Sequence, residues 1–386
     1  MDNGIISYDG WYYEVENVAA LTGDFVIDDS VWELNWSAFA DATGLTSVIL
    51  SPKTKAVFSA FQDCPNLKYN EYENGLYLGT ESNPYYALCD VVDTTVTTFT
   101  VHADTRSIQE GVFDLCDNLT NIILPDFLYS FGGGYWTWET SNIVFNEYNN
   151  GLYLGNDTNP YVAFIGSAGE RSRSDTRYSD RQIEDSIVLH PDTKVIVSEP
   201  YYYGNITLNN GLIGLTQWAF LGSESEEIVI PSSVKWIGYA ALKATENLKH
   251  INIPEGIEYI PAECFAFGYS TFESVYIPSS VKEIGCMAFD DCPGLKSVTG
   301  GAGLEKIGEE AFSDCPLLET IDLVSGPGYK SINGVVYTSD GTTLVIFPSG
   351  SKISELSIPS SVTKIEPYAF EGCTSLKKIN IPNTVT

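Results

Sequence analysis

The sequence predicts a repeat solenoid, rich in short strands with brief helical corners, running through all 386 residues. Three observations predict it. The skeleton I-P-x-x-V-x-x-I-G-x-x-A-F-x-x-C-x-x-L-x-x-V, read from Ile277 to Val298, recurs along the chain. Its period is nearly constant: Ile228 to Ile251 is 23 residues, Ile251 to Val275 is 24, and Val298 and Ile321 follow at 23 each. Self-similarity at this length marks stacked units, each too small to bury a core alone. The apolar fraction, 44%, is enough to fill one continuous core.

Each part of the skeleton has a physical task. Leu295-x-x-Val298 alternates its side chains as a short strand does. Pro278 has no N–H to donate and ends the pairing of the strand before it. Val281-x-x-Ile284 is a second extended piece, and Gly285 permits the turn after it. Met287-Ala288-Phe289 is then expected to be a helical corner that drives one large ring inward, with Asp290 facing out. Cys64, Cys116, Cys292, Cys315 and Cys373 all fall three residues after the corner aromatic, where Ala42 and Thr245 stand in other turns. A position that accepts Ala, Thr or Cys calls for a small buried side chain. Reduced thiols are expected there, although Cys292 and Cys315, one turn apart, lie within reach of a disulfide.

The pattern L-x-x-I-x-I-P-x-x-V-x-x-I-G-x-x-A-F-x-x-C resembles the BspA-like leucine-rich repeat proteins. It differs from ordinary leucine-rich repeats in its Ala-Phe corner and in lacking an Asn ladder. The match is closest over residues 228–323 and 353–386 and traceable from residue 25. The resemblance implies a right-handed leucine-rich-repeat solenoid and a bacterial or protist protein that is secreted or held at the cell surface. It implies adhesion rather than catalysis, and it is specific for fold rather than for ligand.

In chain order, residues 1–24 read as a hairpin or partial repeat, with Asp9-Gly10 as its turn. Residues 25–205 hold irregular repeats, beginning at Ile27, Val31, Leu34 and Ala38-Phe39. Hairpins interrupt them near 70–98 and 146–186, where Asn70-Glu71-Tyr72-Glu73-Asn74-Gly75-Leu76-Tyr77 is echoed 76 residues later from Asn146. Residues 206–386 are regular apart from a third hairpin near 324–352, built on Asn333-Gly334-Val335-Val336-Tyr337. The whole reads as a single solenoid domain, expected to be monomeric. It stops partway through a turn after Ile381-Pro382; a raw solenoid end exposes apolar groups, so a longer parent chain is expected. No basic-then-apolar leader follows Met1, so any secretion signal has been removed or never existed.

Charge narrows the partners. The chain carries 20 basic and 51 acidic residues, a net charge of −31. Residues 1–160 contribute −19 of it, with only Lys53, Lys55, Lys68 and Arg106 as cations. Nucleic acid and anionic membrane are disfavoured, because phosphate binding needs a basic footprint. No apolar run of about 18 residues is present to insert in a membrane.

Residue types that carry chemistry are sparse. There is no nucleophile elbow, P-loop, zinc-protease motif or calcium loop, and no metal or cofactor is expected. His102 and His190 occupy matching positions in the two duplicated units, which points to structure, whereas His250 projects from a strand beside Asn252. Asp28-Asp29 and Asp290-Asp291 read as solvated turns rather than calcium ligands. Tyr135-Trp136-Thr137-Trp138 and Tyr201-Tyr202-Tyr203 align with corners. Arg171, Arg173, Arg177 and Arg181 read as an exposed loop rather than an anion contact.

The residues most available for binding flank the inward strand aliphatics: His250 and Asn252, Ser274 and Tyr276, Ser297 and Thr299, Thr320 and Asp322. Glu227 and Val229, Glu355 and Ser357, and Lys378 and Asn380 extend the series. This polar ladder suits a protein or glycan ligand and lacks the convergent pocket of an enzyme. The alternative is a carbohydrate-active hydrolase, or a scaffold for a catalytic domain outside this chain.

Overall fold

The computed structural model describes residues 5–8, 12–15, 18–132, 142–167, 187–197, 206–267 and 271–386. The Asp9-Gly10 turn, the Tyr135–Trp138 and Tyr201–Tyr203 aromatics and the four arginines from Arg171 to Arg181 lie outside them. The chain forms two compact units, one of Met1–Gln182, Ile187–Glu199 and Asn209–Ala219, the other of Ile183–Ser186, Pro200–Leu208 and Phe220–Thr386. Both are built as β-solenoid, about 14 turns in all.

In the second unit each turn contributes a front and a back strand. The front strands Ser274–Ile277, Ser297–Gly300 and Thr320–Leu323 pair in parallel, with Val275 opposite Val298 and Val298 opposite Ile321. The back strands Tyr259–Ile260, Glu283–Ile284 and Lys306–Ile307 form a second parallel ladder. Between the two run the buried aliphatics, Val275, Val298 and Ile321 from the front and Ile260 and Ile284 from the back. A constant period therefore places equivalent residues one above another, as the skeleton requires.

The corners differ from expectation. They are turns, and among the described residues the helical content is the single short 3-10 segment Val18–Ala20. A helix would direct corner N–H groups back along its own turn. Here alternate N–H groups reach across to the next turn instead: Met287 to the Glu309 carbonyl (3.0 Å), Phe289 to Ala311 (2.9 Å) and Asp291 to Ser313 (3.1 Å). Such alternation needs left-handed residues on both sides of the Ala-Phe pair, and Met287 and Asp291 have φ of 52° and 48°. Glu263 with Phe267 and Glu310 with Asp314 repeat the arrangement. The corner is thus a third inter-turn ladder, and it stacks the Phe265, Phe289 and Phe312 rings at 5.0 and 5.2 Å with planes 10° and 2° apart.

The small position after the corner proves to be a donor site. Cys315 Sγ donates to the Phe289 carbonyl (3.1 Å), Cys292 to Phe265 (3.3 Å) and Cys64 to Phe39 (3.1 Å), each reaching back one turn. All eight cysteines are free, so Cys292 and Cys315 are not bridged.

The hairpins lie within the solenoid's ladders. Asn70–Tyr72, Gly75–Leu78 and Ala87–Val91 form an antiparallel meander whose last strand pairs in parallel with the next back strand, Ser107–Ile108. Asn146–Tyr148, Gly151–Leu154 and Ala163–Ser167 do the same against Val195–Ile196. Tyr329–Ile332, Val335–Thr338 and Thr343–Ile346 do so against Lys364–Ile365. Each meander shifts register just before a buried tyrosine, Tyr77, Tyr153 or Tyr337.

Candidate functional site

Six of the eight candidate residues come together on one sheet. Ser274, Ser297 and Thr320 form one row across the front strands, and Tyr276, Thr299 and Asp322 form the next. Strand alternation turns both rows away from the core. Tyr276 is 59% exposed and is the one large ring in either row. The third hairpin closes one edge of this sheet: the Ile321 N–H donates to the Gly334 carbonyl (3.1 Å) and the Leu323 N–H to Ser331 Oγ (3.0 Å).

The remaining pair behaves differently. His250 is exposed, opposite Glu227 on the preceding front strand. Asn252 is exposed too, but its amide is committed to the backbone of the previous turn, accepting from Ile230 N–H (2.9 Å) and donating to its carbonyl (2.7 Å). That doubled contact is a fastening between turns.

His102 and His190 sit in duplicated aromatic boxes, one on each meander of the first unit. The His102 ring lies against Tyr72 and Tyr85, and the His102 backbone N–H donates to Tyr77 Oη (3.2 Å). The His190 ring stacks on Tyr161 at 3.8 Å and meets Tyr148 edge-on, while the His190 backbone N–H donates to Tyr153 Oη (3.3 Å). In both, Nδ1 accepts the N–H two residues on, from Asp104 or Asp192 (3.1 Å each). Both rings are therefore enclosed parts of the fold.

Asp290 corrects its expected outward placement. It is 9% exposed, and its carboxyl is pushed up to about 6, first by burial and then by Asp314. Its carbonyl accepts the Phe267 N–H (3.1 Å), so the residue is part of the corner ladder. Asp28 caps its own turn through Ser30 N–H (2.8 Å). No group of three or more His, Cys, Asp or Glu among the described residues is arranged to hold a metal ion.

Two features were not anticipated. In the first unit the half-buried Trp36 lies between Phe58 (4.5 Å) and Trp218 (5.2 Å) while Nε1 donates to Glu110 Oε2 (2.6 Å). In the second, a cavity of about 190 Å³ opens beside the third hairpin. Phe312 and Phe347 form its buried floor and the exposed Tyr368 its rim. Glu309, Glu310, Asp314, Glu366 and Glu371 line it, and no Lys, Arg or His does. The available signal was the short run Leu344-Val345-Ile346-Phe347, where other turns have five residues from aliphatic to ring, as from Ile307 to Phe312.

Stacked front and back strands closed by an Ala-Phe corner define a leucine-rich-repeat solenoid. The chain belongs to the family described as BspA type leucine rich repeat region, six copies of which match at residues 92–147, 185–267, 265–350 and 344–386. No curated protein matches. Among solved structures, a leucine rich cell surface protein of Faecalibacterium prausnitzii is similar at 19% identity, covering 98% of this chain and 86% of that one, with a TM-score of 0.31. A leucine-rich repeat protein of Bacteroides ovatus is similar at 18% identity, 99% and 80% coverage and a TM-score of 0.32. One of Eubacterium ventriosum has 15% identity, 96% and 87% coverage and a TM-score of 0.34. Among the described residues no helix is long and apolar enough to cross a membrane.

Proposed function

We propose that this chain is a non-enzymatic binding module of a secreted or cell-surface protein, engaged in adhesion through its front strand face. The observation that carries the reading is the pair of in-register rows, Ser274-Ser297-Thr320 and Tyr276-Thr299-Asp322, on a three-stranded parallel sheet. Their hydroxyls, one carboxylate and one exposed ring give directional hydrogen bonds around an aromatic anchor, the composition that recognises a glycan or a protein loop. A flat face of this kind holds a ligand without enclosing it, which suits attachment better than chemistry. Membership of a family whose members are typically non-catalytic supports the same reading.

A glycan array and a panel of immobilised extracellular proteins, probed with the whole chain and with Tyr276→Ala and Thr299→Arg, provide the test. The expected result is a ligand whose binding falls at least tenfold in both variants. Silence across both arrays at high protein concentration, or a ligand indifferent to both substitutions, would count against the front face.

A further inference from the structure

Three successive corners of the second unit each hand three N–H groups to the next turn. Ala240, Leu242 and Ala244 donate to Ala262, Cys264 and Ala266; Glu263, Phe265 and Phe267 donate to Cys286, Ala288 and Asp290. Met287, Phe289 and Asp291 continue the series onto Glu309, Ala311 and Ser313. The next donors are Glu310, Phe312 and Asp314, and there the ladder stops. Among the described residues no acceptor meets their three N–H groups.

The reason lies in the third hairpin. Leu344 takes the back-strand position, paired with Ile365, and Phe347 takes the corner-ring position, its N–H donating to the Ala369 carbonyl (2.8 Å). Cys373 Sγ reaches back to the Phe347 carbonyl (3.5 Å), as Cys292 and Cys315 reach the corner ring one turn before their own. Three residues separate Leu344 from Phe347 where five separate Ile307 from Phe312. This turn's corner is two residues short, and the cavity occupies the gap.

We propose that this groove receives an extended segment of a partner protein. Its backbone carbonyls take up the N–H groups of Glu310, Phe312 and Asp314, and it carries a lysine or arginine toward the surrounding carboxylates. Two independent features select that occupant. A row of donors left by a broken ladder calls for a chain that supplies carbonyls at the spacing of a missing turn, which is how an added strand binds a sheet edge. The walls supply the charge preference: five carboxylates and no cationic side chain line the groove, and Glu366 and Glu371 are already held by Lys364 (2.8 Å) and Ser313 Oγ (3.2 Å). A basic side chain with an aliphatic stem also matches the floor of Phe312 and Phe347 and the exposed Tyr368 ring. This surface is separate from the front strand face.

Titration calorimetry on the whole chain tests the proposal with three probes: acetyl-Val-Lys-Val-Arg-Val-amide, its counterpart with Glu at both charged positions, and spermidine. The basic peptide is expected to bind at least tenfold more tightly than either of the others. Binding should be lost in the Glu310→Lys/Asp314→Lys double variant. It should also be lost when Gly-Ala is inserted between Ile346 and Phe347 to restore the corner's length, a change that fills the groove without altering its charge. Circular dichroism and thermal unfolding establish that each variant is folded, and Tyr276→Ala should bind the basic peptide as the parent chain does. Equal affinity for the two peptides, equal affinity for spermidine, undiminished binding to the filled variant, or loss in Tyr276→Ala would each overturn it.

Discussion

At the scale of single residues, the corner ring carries the largest consequence. Phe289 is fully buried between two parallel rings, so Phe289→Ala should cost about 3–5 kcal/mol in chemical unfolding, the range for deleting a buried aromatic. Its neighbour Asp290 makes a pH prediction. Its folded value near 6 lies above the reference 3.8, so between those values the folded chain binds more protons than the unfolded one. Stability from this group is present at low pH and lost as pH rises through about 6. Asp290→Asn should flatten that slope and stabilise the chain at pH 7 by about 1 kcal/mol, after allowance for solvent screening. Unfolding midpoints measured from pH 4 to 8 would show both effects, and an unchanged slope would refute the burial. The cysteine position makes a third: Cys315→Val removes the donor to the Phe289 carbonyl, and should cost about 1 kcal/mol more than Cys315→Ser.

At the scale of the element, legibility followed periodicity. Ile228, Ile251, Val275, Val298 and Ile321 announce the front strands because an inward aliphatic recurs wherever a turn closes on the core. The corner was misjudged as helical because Met-Ala-Phe is a good helical triplet locally. Its backbone is decided by the neighbouring turn, whose carbonyls capture alternate N–H groups. Asp290 was misplaced for the same reason. Cys292 was read correctly as buried and reduced, but its bond to Phe265 depends on a carbonyl 27 positions away, which no local pattern reveals. The front rows were legible because strand alternation is a property of a single chain. The groove was not, because it arises from residues the third hairpin lacks. Asn252 marks the boundary: its outward position was legible and its grip on Ile230 was not. Asn252→Ala should cost about 1–2 kcal/mol for two lost hydrogen bonds to backbone, against less than about 0.5 kcal/mol for Thr299→Ala in the next turn but one.

At the scale of the molecule, the regular turns from Glu227 to Ser313 are bonded to their neighbours through three ladders, front, back and corner. Damage should therefore stay local. Hydrogen exchange on Phe289→Ala is expected to lose protection over residues 265–312 and to leave residues 25–67 unchanged. Even loss along the whole chain would mean a single cooperative core. Lys–Glu pairs such as Lys296–Glu273 (2.5 Å) and Lys378–Glu355 (3.2 Å), each bridging 23 residues, join adjacent turns on the exposed surface and add little individually.

The nearly constant period also has a mechanical meaning. When the ends of a regular stretch such as residues 228–323 are pulled apart, the outermost turn bears the load first, because its ladders open bond by bond like a zipper. Twenty-three residues drawn out at about 3.4 Å each release roughly 75 Å of slack per turn. Optical tweezers should record steps of that length, interrupted where a hairpin replaces a regular turn. A chain stacked this way lengthens under load by giving up one turn at a time, and it takes the turn back when the load is released.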